Sequence, residues 1–211
     1  MMRYRYTDAD FRQATIAAEE TLMMHVELQQ IWDEGLSQDV YLLNHLFDYK
    51  EDWAYKPIIQ SGYSPSFSES VLSDSKRVLV SAALKHGHMK VRCSRVYYDE
   101  SDTDMQSIVG ILKNVQAKIA KEARPGTKWE TLEDIAFGEL MMIASGHQHT
   151  IGHWVHSDLS GKRIGLSREL DSLEEDDIIA LAPGVYRKDY DLMARIEDCF
   201  VVTRRGAERL I

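Results

Sequence analysis

Residues 147–156, His-Gln-His-Thr-Ile-Gly-His-Trp-Val-His, hold four of the chain's eight histidines. Imidazole changes protonation near neutral pH and is the commonest nitrogen ligand for metals, so chemistry is concentrated here. His149 and His153 have the i, i+4 spacing of a helical metal pair. The β-branched and aromatic residues around them, with an internal glycine, favour an extended segment instead. Extended, His147, His149 and His153 share one face and His156 takes the other. A metal would need further ligands and groups that orient the rings. Downstream, Glu197 and Asp198 close the run Ala-Arg-Ile-Glu-Asp over 194–198. A carboxylate in an apolar strand is costly unless paired, so Glu197 needs Arg195 or a histidine as partner. A plain salt bridge accounts for Glu197 as well as a catalytic site does.

The elements that must position these groups follow from periodicity. Thr7 caps a helix with acidic residues in its first turn, and Phe11, Ala18, Leu22 and Val26 recur at helical spacing up to Gly35. Ser37 opens a second helix with Val40, Leu43 and Phe47 on one face. Residues 49–56 read as loop, Pro57 to Gln60 as a short strand, and Ser61 to Ser75 as an extended loop. Arg77 to Leu84 and Met89 to Tyr98 read as a β-hairpin turning at Lys85 to His88. Ile108, Leu112, Val115 and Ile119 mark an amphipathic helix stopped by Pro125-Gly126. Thr127 and Glu130 have the spacing of a capping box for a further helix lined by Leu132, Ile135, Ala136 and Leu140 and closed by Gly146. Ile178 to Tyr186 and Arg195 to Val202 are the last strands, before a charged tail. Helices followed by strands occur twice, which predicts an α+β fold of two related halves, about 1–100 and 101–211, facing a common pocket. Met23, Met24, Met141 and Met142 read as helix-core residues. His25 and His45 read as packing or surface residues, and His86 and His88 as a solvated turn.

Composition excludes some functions. A net charge of −9 argues against direct nucleic-acid binding. It suits solubility and is compatible with a basic partner. Cys93 and Cys199 lack metal-type spacing and read as packed, reduced thiols. No leader-like or membrane-spanning run occurs in the sequence, and a cytoplasmic protein is expected.

Three motifs carry a resemblance. His149-Thr-Ile-Gly-His-Trp-Val-His156, Ala180-Leu-Ala-Pro-Gly-Val-Tyr186 and Arg195-Ile-Glu-Asp-Cys-Phe-Val-Val-Thr203 with Gly206 resemble the C-terminal signature of the pita-bread, M24-like superfamily. That superfamily includes creatinase, prolidase, aminopeptidase P and methionine aminopeptidase. The likeness to prolidase and creatinase is the stronger at Pro183-Gly-Val-Tyr186 and Arg195-Ile-Glu-Asp198. It implies a pita-bread fold, two pseudo-symmetric α+β halves with a curved antiparallel sheet around a central pocket, over a single domain 1–211. The N-terminal domain of the creatinase type is expected to be absent.

The resemblance also implies a site of two Asp, one His and two Glu holding two divalent ions. With Arg95 as anchor, the first Asp becomes Ser81 and the second becomes Arg92. The His is kept as His149, the first Glu becomes Ala182, and the last is kept as Glu197. A cation at 92 repels a metal and can pair with Glu197. No metal or other cofactor is therefore expected. His156, Tyr186 and Arg195 survive, while the place of the creatinase-type His falls on Glu69.

The resulting expectation is a degenerate peptidase-like protein, not an aminopeptidase. It would be repurposed as a metal-independent hydrolase or lyase of a small anionic or zwitterionic molecule. His149, His156 and Glu197 would be catalytic. Arg92, Ser81, His153, Tyr186, Arg195 and Glu69 would bind substrate. A non-catalytic binding module, for which the peptidase-like domain of a histone chaperone is a precedent, is the alternative. A mononuclear metallohydrolase built on His149, Glu197 and His153 or His147 is the third reading. Neither nucleic acid nor membrane is expected as partner, and the resemblance allows a homodimer.

Overall fold

In this computed structural model, the described residues are 5–33, 53–61, 77–141, 143, 151–155, 172–187 and 192–210. Helix α1 spans Asp8–Asp33, followed by strands β1 (Trp53–Ser61), β2 (Arg77–His86) and β3 (Met89–Tyr98). Helices α2 (Thr103–Glu122) and α3 (Trp129–Leu140) come next. The short strands β4 (Gly152–Trp154), β5 (Ile178–Leu181), β6 (Gly184–Arg187), β7 (Leu192–Arg195), β8 (Asp198–Thr203) and β9 (Gly206–Arg209) complete the chain. The expected second helix from Ser37 lies outside the described residues, as do His45, Met142, Gly35, Gly146 and most of the expected loop to Ser75.

Alternation in β3 builds the expected hairpin. Its register runs unbroken from Arg77 opposite Tyr98 to His86 opposite Met89. Gly87 takes the positive φ of +59° that a two-residue turn requires. On the edge of this sheet β1 pairs with β2, and the register shifts around Pro57. Proline has no N–H for the ladder, and an edge strand tolerates that loss. Residues 53–56, expected as loop, belong to this strand.

Helix α1 covers one face of the hairpin. Thr7 and Asp10 cap it reciprocally: the Thr7 amide donates to Asp10 Oδ2 at 2.6 Å and the Asp10 amide to Thr7 Oγ1 at 3.3 Å. Its buried stripe differs from the expected one. Ala14, Ala17, Ala18, Thr21, Met24, His25 and Leu28 face inward, whereas Val26 is 43% exposed. The small residues let the helix approach Met89 and Val91 closely, while Met24 and Leu28 pack on Val78, Val80 and Tyr97. Met23 and Met141, expected in the core, are instead 58% and 60% exposed.

Leu112, Val115 and Ile119 of α2 are buried as their spacing predicts, against Leu132, Ala136 and Leu140 of α3. Burial of each large aliphatic side chain contributes about 1.5–3 kcal/mol. The expected capping box is not formed. Thr127 Oγ1 donates to Glu122 O at 2.9 Å, and α3 starts after Lys128 without a side-chain cap. Pairing of this loop with Leu173 holds Thr127 away from the helix start.

In the C-terminal part the sheet order is β4-β5-β8-β9, beside a β6-β7 hairpin. The expected strand from Ile178 is broken at Ala182-Pro183, and the one from Arg195 at Ile196-Glu197. The charged tail forms β9. An isolated bridge between Ser94 and Glu197 joins β3 to this half. The result is an α+β fold with antiparallel sheets. Among the described residues no helix is long and apolar enough to cross a membrane.

Candidate functional site

The bridge that joins the halves also builds the site. Ser94 N donates to Glu197 O at 3.2 Å and Glu197 N to Ser94 O at 3.1 Å. Arg95 Nη1 donates to both carbonyl oxygens at 2.9 Å and its Nη2 pairs with Asp198, so the crossing is clamped from the reverse face. Glu197 is thereby laid over β3 with no solvent exposure.

Its two oxygens differ. Oε2 accepts from Ser94 Oγ at 2.8 Å and lies 2.9 Å from Arg195 Nη2. Ser94 spends its single hydroxyl proton there, so Ser81 Oγ, 2.9 Å away, donates to Ser94. Oε1 is buried and has no hydrogen-bond partner among the described residues; His153 Nδ1 is 3.9 Å from it. Burial pushes the Glu197 pKa up, but the charges of Arg195, Arg92 and His153 and the Ser94 hydrogen bond bring it below the usual value.

The neighbours are held firmly. Arg195 is buried beside Tyr186, whose phenol burial raises to about 12 against the opposing charge of Arg195. A Cβ on Gly184 would fall 2.6 Å from the Tyr186 hydroxyl, so glycine leaves room for that ring. Arg92, opposite Ala83 in the hairpin, lies over the Tyr55 ring at 5.2 Å, with Lys90 at the same distance. His153 sits on β4 opposite Ala180 with its side chain 45% exposed. Trp154 anchors that strand by packing on Trp129 and donating to Asp177.

Of the residues expected in the site, Glu197, Ser81, Arg92, His153, Tyr186 and Arg195 therefore gather around one carboxylate. His149, His156, His147 and Glu69 lie outside the described residues. Sequence reasoning missed Ser94 and Tyr55. Alternation places Ser94 on the Arg92 face, a signal that could have found it; nothing local marks Tyr55.

The dinuclear centre implied by the resemblance does not fit these residues. Ser81 is hydrogen-bonded within the serine pair, Arg92 is a cation, and Ala182 offers a buried methyl group. The remaining carboxylate is already paired with Arg195. Among the described residues no three His, Cys, Asp or Glu side chains converge as a metal site.

Other polar groups serve the fold. His25 Nδ1 accepts from Tyr97 Oη at 2.6 Å and its Nε2 donates to Cys93 O at 3.3 Å. His88 Nε2 lies 2.5 Å from Asp10 Oδ1, so this turn residue is tied to α1. Cys93 and Cys199 are free and buried, and burial pushes Cys93 up to about 12. A cavity of about 1200 Å³ between α1 and α2, lined by Arg95, Gln116, Asp198 and Arg209, takes none of the expected site residues.

The model for metallopeptidase family M24 matches residues 7–204. The fold is similar to the prolidase from Pyrococcus horikoshii OT3, with a TM-score of 0.72 at 20% identity over 97% of this chain and 62% of that one. It is similar to proline aminopeptidase P II from Yersinia pestis, with a TM-score of 0.78 at 18% identity over 97% and 56%. Aminopeptidase P from Escherichia coli with the inhibitor Pro-Leu gives 0.77 at 16% identity over 97% and 56%. The chain thus spans less than two thirds of the length of these relatives, and the likeness establishes the pita-bread fold. No curated protein matches the chain.

Proposed function

This chain belongs to metallopeptidase family M24, and we propose that it is a metal-independent member, an enzyme acting on a small anionic or zwitterionic molecule beside Glu197, His153 and Arg92. The observation that carries this reading is the 2.9 Å contact between the largely buried Arg195 Nη2 and the fully buried Glu197 Oε2. A carboxylate neutralised by a fixed guanidinium is a poor ligand for a divalent cation. Arg92 supports the rest: held over Tyr55, it supplies a planar fork of donors suited to a carboxylate or an oxyanion. Ser81 belongs to the same polar wall, with Tyr186 and Arg195 behind it. His149 and His156 are assigned to this pocket from their motif, and Glu69 from its register.

The substrate class follows from charge. The site pairs one buried carboxylate with Arg195, Arg92 and His153 close by, so an anionic group offsets the surplus cation. An Escherichia coli relative was solved with Pro-Leu, which makes that zwitterion a suitable first probe. Calorimetric titration of Pro-Leu and of simple carboxylates, with and without chelator, tests the reading. Binding that is indifferent to chelator and weakened about tenfold or more by Arg92→Ala, the loss of roughly 1.4 kcal/mol, supports it. Binding or turnover that chelator abolishes would overturn it. Binding with no turnover of any ligand would favour the non-catalytic module instead.

A further inference from the structure

We propose that the groove between α1 and α2 is a second binding site, for an amphipathic anion of the alkyl-carboxylate class. Arg209 and Lys113 take the carboxylate, and the alkyl chain lies along Val26, Val109 and Phe200. This goes beyond the proposed function and stands without it.

The groove lies on the reverse of the crossing that builds the site. Ser94 and Glu197 face the site, and the residues that follow them, Arg95 and Asp198, line the groove. Alternation along the strand sends neighbouring side chains to opposite faces. The groove encloses about 1200 Å³, above the about 300–1,000 Å³ of ordinary small-ligand pockets. Gln106 and Lys121 both line it and stand about 22 Å apart along α2, so it suits an extended chain.

Much of its surface is apolar. The buried residues Val96, Val109, Ile196 and Phe200 line it. Leu22 and Val26 of α1 form the opposite wall. Val26 is 43% exposed, an apolar side chain turned to the groove rather than into the core.

Charge completes the description. Arg209 Nη2 lies 3.3 Å from Asp198 Oδ2 and 3.3 Å from Gln116 Oε1. The buried Gln116 is itself fixed, donating to Leu181 O at 2.9 Å. The Arg209 guanidinium stands over the Phe200 ring at 5.9 Å, so cation and apolar surface adjoin. A guanidinium has five N–H donors. Both Arg209 contacts use Nη2, and among the described residues Nε and Nη1 have no partner. Asp198 is already shared with Arg95. Lys113, one turn before Gln116 on α2, has no acidic partner among the described residues. The described lining holds the cations Arg95, Lys113, Lys121 and Arg209 against the carboxylates Glu100 and Asp198. His25 adds no charge near neutral pH, since burial and then Arg95 lower its pKa to about 3. A surplus of cations on a chain of net charge −9 is a local field suited to an anion.

Calorimetric titration of decanoate into the full chain, with Pro-Leu present in excess, tests this. The expected result is saturable binding, weakened about tenfold or more by Arg209→Gln and by Lys113→Glu. Nonanoate and octanoate should bind more weakly, by up to about fourfold for each methylene removed. Decylammonium should not compete. Lys113 is exposed, so Lys113→Glu keeps the test decisive if Arg209→Gln does not fold. Absent or non-saturable binding, or equal binding of decylammonium, would overturn the inference. So would decanoate binding that Pro-Leu displaces and both groove variants retain, which would leave the proposed function standing.

Discussion

Arg195 and Glu197, two residues apart, point the same way and meet at 2.9 Å with Glu197 wholly out of solvent. Arg195→Met leaves Glu197 with an unbalanced buried charge, and the expected loss is about 3–5 kcal/mol of stability. The pair has a pH signature. The native Glu197 pKa lies below the ordinary 4.5, since Arg195 and its neighbours outweigh burial. Its stabilisation is fully present above 4.5 and is lost as pH falls through the lowered native value. Urea midpoints of the wild type should therefore fall more steeply on acidification than those of Glu197→Gln. Parallel acid limbs would contradict this.

His25 gives a second pH effect over a different range. Burial first, then the charge of Arg95, lowers its pKa from 6.5 to about 3. The folded protein keeps this ring neutral, while the unfolded chain protonates it below about 6.5. Stability is fully present above that value and declines by about 1.4 kcal/mol per pH unit down to the native pKa. In His25→Gln that part of the slope should be missing between about pH 6.5 and about pH 4.5, above the Glu197 range. An unchanged slope would show that His25 is protonated in the native state.

The parts of the fold carried by short-range pattern were legible in the sequence. The β2–β3 alternation, the α2 stripe of Leu112, Val115 and Ile119, and the i, i+2 relation of Arg195 to Glu197 all appear as expected. What was not legible depends on long-range pairing. Ser94 reaches Glu197 across 103 residues. Thr127 loses its capping role because its loop pairs with Leu173. The inner face of α1 turns on alanines and on His25, because Tyr97 supplies a partner for a buried imidazole. Within the site, Ser81, Arg92, His153, Tyr186 and Arg195 were expected beside Glu197 and lie near it, His149, His156 and Glu69 lie outside the described residues, and the serine relay and the Tyr55 seat under Arg92 were not expected.

Gly152 offers a test of how His153 is placed. Its φ is +158°, and a Cβ there would lie 1.9 Å from the Ala180 carbonyl oxygen. The β4–β5 pairing beside His153 depends on that approach. Gly152→Ala should lower stability by about 3 kcal/mol or more, at the upper end of overpacking costs, and should displace the His153 imidazole signals. A thermal midpoint and histidine spectrum like the wild type would contradict this account of β4.

The central claim is that the pairing of Glu197 with Arg195, and the residues Ser81, Arg92 and Ala182, leave no dinuclear metal centre. The most direct test is elemental analysis of the purified protein before and after soaking with manganese, iron, cobalt and zinc. The account predicts less than about a tenth of an equivalent throughout, the level of adventitious metal. Two tightly held equivalents per chain would contradict it, and one would move the chemistry to a mononuclear centre around the histidines.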